Sequence, residues 1–107
     1  MISLNKRFLK SDAIWIYSNP KIAQQKAFEI YGPDAILNRS NTKNKKYYIV
    51  SPLDNKIINF GQMGYEDYTK HNDDLRRSNY LNRTSKIRGD WRQNKYSPNN
   101  LSRSILR

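Results

Sequence analysis

The sequence predicts an α+β domain: a small antiparallel sheet of three to four strands, with one helix before it and an Arg-rich helix after it. Three observations carry this. Two β-prone runs, residues 46–51 (KYYIVS) and 56–60 (KIINF), flank the turn-forming residues 52–55 (PLDN). Upstream, Asn19-Pro20 and Gly32-Pro33 bracket a helical pattern as start and stop signals. Downstream, from Asn72 to about Ile87, apolar and basic positions separate onto two arcs when placed at 100° per residue.

Taken in order, residues 1–12 read as a basic N-terminal arm without a clear period, and residues 13–91 as a single domain. Residues 13–17 (AIWIY) are rich in β-branched and aromatic side chains and suit a strand. In the helix that follows, Asn19 is the expected cap, and Ala23, Ala27, Ile30 and Tyr31 share one face, which reads as core. Residues 38–46 (NRSNTKNKK) are polar enough for a mobile basic loop. In the expected hairpin, Tyr47 and Ile49 share one face and Tyr48 and Val50 the other; the pattern leaves open which is buried. Gly61 and Gly64 bracket a tight loop that re-aims the chain from sheet to helix. Two glycines three apart also match phosphate cradling weakly, but the Lys-Ser/Thr ending of a P-loop is missing. Residues 92–107 read as a polar linker around Pro98 and a short amphipathic segment capped by Asn100.

The Arg-rich helix sits inside the stretch around which the chain is organised, residues 60–91. Asn72 is its expected cap, and Asp73 and Asp74 suit the positive end of its dipole. One arc collects Ile87, Tyr80, Asp73, Thr84, Arg77, Leu81 and Asp74 and reads as the packing face, so Tyr80, Leu81 and Ile87 are expected to be buried. The other collects Arg76, Arg83, Asn79 and Lys86 and reads as a solvent-facing cationic stripe. Beyond it Gly89 breaks the pattern, and Trp91 is expected to pack back as an anchor.

Charge decides between a merely solvated stripe and a binding ridge. The 107 residues carry 20 Lys+Arg against 9 Asp+Glu, a net +11, and from Arg76 onward the single acid is Asp90. Such an excess favours polyanions or acidic protein surfaces. The candidate nucleic-acid-binding residues are therefore the stripe (Arg76, Arg83 and Lys86), the basic loop (Lys43, Lys45 and Lys46), and the following segment (Arg88, Arg92 and Lys95). Eight tyrosines, three phenylalanines and two tryptophans supply rings for a thin core and for stacking on bases. Cysteine is absent, which removes disulfides and thiolate metal sites and fits a reducing compartment. No apolar run approaches the ~20 residues of a membrane span, so an intracellular protein without a membrane partner is expected.

Enzymatic readings centre on His71, the single histidine, which lies between Glu66-Asp67 and Asp73-Asp74. That grouping would suit a metal-dependent nuclease. One imidazole is a poor basis for a metal site, however, and the acids double as helix-cap residues. A histidine at a helix entry, bonded to a carboxylate, is the simpler expectation. No catalytic residue, metal ligand or cofactor is assigned.

The string FGQMGYEDYTKHNDDLRRSNYLNRTSKIRGDW, followed by KYSPNNLSRSIL, resembles a family of short, basic, functionally uncharacterised proteins of giant DNA viruses of algae and amoebae. The resemblance covers residues 40–106 and includes residues 45–48 and 56–61. Asn59 and Arg107 depart from it, standing where a histidine and a tryptophan are usual. The resemblance implies a viral origin, and with it a location in the virion or the infected host cell cytoplasm. The leading expectation is a non-enzymatic protein that binds DNA or RNA through a cationic surface as a packaged virion component. The alternative is a minor capsid or assembly adaptor meeting acidic viral protein surfaces.

Overall fold

The computed structural model describes residues 4–107, the side chain of Asn5 aside. Residues 1–3 of the expected arm lie outside the described residues. The fold is α+β, in the order α1 (Leu4–Arg7), α2 (Ile14–Tyr17), α3 (Pro20–Tyr31), β1 (Asn38–Arg39), β2 (Lys45–Val50), β3 (Ile57–Gln62), α4 (Tyr68–His71), α5 (Asp74–Ser85) and α6 (Pro98–Ile105). The sheet is antiparallel in the order β1-β2-β3. The expected hairpin is present, with Tyr47 opposite Phe60 and Ile49 opposite Ile58. Its buried face carries Tyr47 and Ile49, while Val50 on the other face is exposed.

Helix α3 forms where its punctuation places it. The Asn19 side chain accepts from the amides of Lys21 and Ile22, Pro20 opens the first turn, and Ala23 and Ala27 are buried. Ile30 of the expected core face is exposed. Residues 14–17 are a helical turn and not a strand. The Asp12 carboxylate accepts from the Ile14 amide at 3.0 Å, and this local bond turns the chain where β-propensity alone would extend it.

The expected loop at residues 38–46 is instead a short strand, a hydrogen-bonded turn and the start of β2. The Lys45 amide donates to Thr42 O, Asn44 takes a left-handed conformation, and the Arg39 guanidinium donates to the carbonyls of Lys45 and Lys46.

One core runs through segments that the sequence separates into arm, domain and tail. Phe8 is buried with its ring edge on Tyr47, 5.5 Å between centroids, and Leu101, Ile105 and Leu106 are buried as well. Helix α6 packs on α3 and β3, capped by Ser97 rather than Asn100. The boundaries at residues 12 and 92 therefore do not divide the fold. Aliphatic side chains are too few to fill a core from residues 13–91 alone, and both ends contribute.

Helix α5 packs less deeply than its arcs predict. Asp73 is the cap, while Asn72 terminates α4 in a left-handed conformation. Thr84 is buried, Tyr80 and Leu81 are half-buried, and Ile87 is 48% exposed. Arg76, Arg83 and Lys86 are exposed as expected. The Arg103 guanidinium, from α6, holds the end of α5 by donating to Leu81 O at 2.6 Å and Thr84 Oγ1 at 2.5 Å. Trp91 anchors the following turn. Its Nε1 donates to Ile87 O, and Arg92 and Arg103 lie over its ring.

A polar chain crosses the interior. Lys46 and Asp67, 1% and 0% exposed, form an ion pair of 3.0 Å. Asp67 also accepts from the Thr69 amide and hydroxyl; Thr69 shares a hydrogen bond with Ser18, and Ser18 with the Tyr47 hydroxyl at 2.6 Å. Lys46→Met would leave Asp67 buried and uncompensated, so it should cost about 3–5 kcal/mol in urea unfolding. An unchanged midpoint would show that the pair contributes nothing. Gly61 is constrained by the same neighbourhood. At φ +82°, a Cβ there would lie 2.8 Å from Leu106 Cδ1 and 3.1 Å from Lys46 Cβ. Gly61→Ala should destabilise by about 1–3 kcal/mol on the same measurement.

Candidate anion-binding cleft

The buried pair fixes one wall of a surface cleft of about 470 Å³. Lys46 Nζ donates to Tyr65 O at 2.7 Å while bonding Asp67, so the chain between β3 and α4 is held at two points. Tyr65 and Glu66 from this segment, with Gln62 at the end of β3, line one side. Arg76, Asn79, Tyr80 and Arg83 line the other, spaced at i, i+3, i+4 and i+7 on one face of α5. His71, at the end of α4, and Arg107, from beyond α6, also line it.

Cations dominate this surface. The Arg107 guanidinium lies 3.8 Å from the centre of the Tyr80 ring and donates to Glu66 O at 3.2 Å. Its Nε is buried and makes no hydrogen bond among the described residues. Arg83 approaches the same ring at 5.6 Å. Arg76 pairs with Glu66 at 3.2 Å, and the two side chains are 51% and 39% exposed, a pair that solvent screens strongly. Among the described residues the lining thus offers three guanidinium groups against one acidic side chain, Glu66.

His71 adds a neutral donor. Its Nδ1 accepts from the Asp73 amide at 2.8 Å, which puts the proton of the neutral ring on Nε2. The partner is this backbone amide and not the carboxylate expected from sequence. Desolvation, followed by the charges of Arg76 and Arg107, pushes its pKa below the ordinary histidine value, against opposing effects of Asp73 and Glu66. The neighbouring acids are engaged in other roles. Asp67 pairs with Lys46, Asp73 caps α5, and Asp74 accepts from the Tyr68 hydroxyl at 2.6 Å. Among the described residues, no group of three His, Cys, Asp or Glu side chains is arranged to hold a metal ion.

The nine residues singled out from sequence separate into groups. Arg76 and Arg83 line the cleft, and Lys86 continues their line into the next turn of the chain. Lys45 is the cross-strand neighbour of Gln62 at the cleft edge, with exposed Lys43 in the adjoining turn. Lys46 leaves the set, because its ammonium is buried and paired and cannot meet an external phosphate without breaking the core. Arg92 and Lys95 are exposed yet tied to helix ends, Arg92 donating to Ser85 O and Lys95 to Ile30 O at 3.1 Å. Arg88 is exposed. Sequence reasoning missed Arg107 and Tyr65 as members of a site, and considered Glu66 only beside His71 in the nuclease reading. It also placed Tyr80 on the packing arc, although Tyr80 lies only about 40° from Arg76 around the helix.

A family of unknown function (DUF5754) matches residues 35–84. The matched segment takes in the sheet, α4 and nearly all of α5, and therefore every residue of the cleft lining except Arg107. Neither a curated protein nor a solved structure matches the chain.

His71, as the single histidine, reports directly on this site. Its imidazole should titrate below 6.5 by ¹H NMR, and Arg76→Ala should raise the midpoint by removing a nearby cation. Because the neutral ring is favoured in the fold, the contribution of His71 to stability is present above 6.5 and declines as pH falls through that value toward the native pKa. An unmoved midpoint in Arg76→Ala would mean that the two groups do not interact.

Proposed function

We propose that the chain binds nucleic acid, DNA or RNA, through the cleft and the cations flanking it, without catalysing a reaction. The observation that carries this reading is the convergence of Arg76, Arg83 and Arg107 on one open cleft in which Glu66 is the one acidic side chain among the described residues. Guanidinium forks match phosphate oxygens in geometry as well as charge. Lys43 and Lys45 extend the positive surface from the sheet side and Lys86 from the helix side, a footprint longer than one anionic group. The resemblance to basic proteins of large DNA viruses supports a packaged virion component as the setting.

Salt dependence tests the reading. With about five phosphate contacts, log affinity for duplex DNA should fall against log salt with a slope of roughly −4 to −5. Replacing Arg76, Arg83 and Lys86 together by Ala should weaken binding to all sequences and flatten the slope by up to about three units. All three side chains are exposed, so the fold should survive, as circular dichroism would verify. Failure of the unaltered chain to bind DNA or RNA at low salt would overturn the proposal and transfer the charge to an acidic protein partner.

A further inference from the structure

The two aromatic rings of the cleft differ in what they offer a ligand. Tyr80 is covered, with Arg107 stacked on its ring and Arg83 beside it. Its role is to hold guanidinium groups in place. Tyr65 is 67% exposed, and its backbone is pinned from beneath by the buried Lys46 ammonium. An exposed ring on an anchored backbone at the rim of a cationic cleft loses little entropy when a flat ligand covers it.

Glu66, the next residue, occupies Arg76 through one carboxylate oxygen at 3.2 Å. The pair is exposed and weak, and a phosphate offers more. It carries several acceptor oxygens, and Arg83 and His71 line the same space. The volume of about 470 Å³ falls within the ~300–1,000 Å³ of small-ligand sites.

We infer that the cleft is a subsite for one nucleotide of a single strand, whose phosphate displaces Glu66 from Arg76 and whose base stacks on Tyr65. The inference rests on the nucleic-acid reading and narrows it. A paired base inside a duplex cannot present its face to Tyr65, whereas an unpaired one can. Glu66 acts as an internal stand-in for phosphate, keeping the arginine fork oriented while the cleft is empty and giving it up to a ligand of higher charge.

The test compares a short labelled oligo(dT) with a duplex of equal length by fluorescence anisotropy at low salt, using the full chain. Glu66→Gln should tighten oligo(dT) binding by about fivefold, the effect of one unit charge at contact distance in a wet site. Tyr65→Ala should weaken oligo(dT) by roughly five- to a hundredfold, the range for one lost stacked base, and leave the duplex unchanged. Tyr65→Phe should retain single-strand affinity. Thymidine 5′-monophosphate should shift the His71 imidazole resonance, and thymidine at the same concentration should not. Suppose instead that both substrates bind with a steep salt slope, Tyr65→Ala costs them equally and the nucleotide leaves His71 unmoved. The subsite is then overturned while the nucleic-acid reading stands. Absence of binding to either substrate overturns both.

Discussion

The burial of Lys46 is the constraint on which the rest of the arrangement depends. An ammonium taken out of water loses hydration worth several kcal/mol, and the fold must replace it. It does so with Asp67 at 3.0 Å and Tyr65 O at 2.7 Å, both from the segment after β3. Desolvation outweighs the attraction of Asp67 and holds the Lys46 pKa below the ordinary lysine value. These replacements fix where the chain leaves the sheet. Asp67 simultaneously caps α4, so the ion pair also sets the start of the helix that carries His71. The cleft wall is therefore a by-product of satisfying one buried charge.

That constraint spreads because its neighbours are polar too. Thr69 and Ser18 connect Asp67 to the Tyr47 hydroxyl, joining residues from α2 to α4 across the interior. A half-satisfied buried network would be worse than an apolar core, and each member of this one has partners. Around it the apolar core is thin and drawn from the whole chain, Phe8 at one end and Leu106 at the other. At Gly61 the strand passes Lys46 and Leu106 with no room for a side chain.

Local grammar was readable from the sequence where it is strong. The Asn19-Pro20 cap, the hairpin across residues 52–55 and the exposure of Arg76, Arg83 and Lys86 all follow from short-range signals. Tertiary competition explains what was not. Residues 14–17 have strand propensity, but one Asp12 bond and the packing of Ile14 make them helical. Lys46 sits in a run of basic residues and looks like its neighbours; only the later Asp67 distinguishes it, and a single sequence does not pair residues twenty-one positions apart. The cleft was half legible for the same reason. Its α5 face has regular spacing, whereas Arg107 arrives from the far end of the chain, and Tyr65 and Glu66 face α5 only because the segment after β3 folds back beside it.

The shallow packing of α5 follows from the same physics. Helix α5 carries few apolar side chains, of which Leu75 is exposed and Tyr80 and Leu81 are half-buried, so its stability has to come from its ends. Asp73 secures the first turn, with its side chain accepting from two amides, and Arg103 secures the last by reaching Leu81 O and Thr84. Between these fixed points Arg76 and Arg83 project from a helix that is held without being enclosed. Deeper burial of Tyr80 and Leu81 would draw that face inward and narrow the cleft, so the modest core contact of α5 is the geometric condition for an open cationic surface.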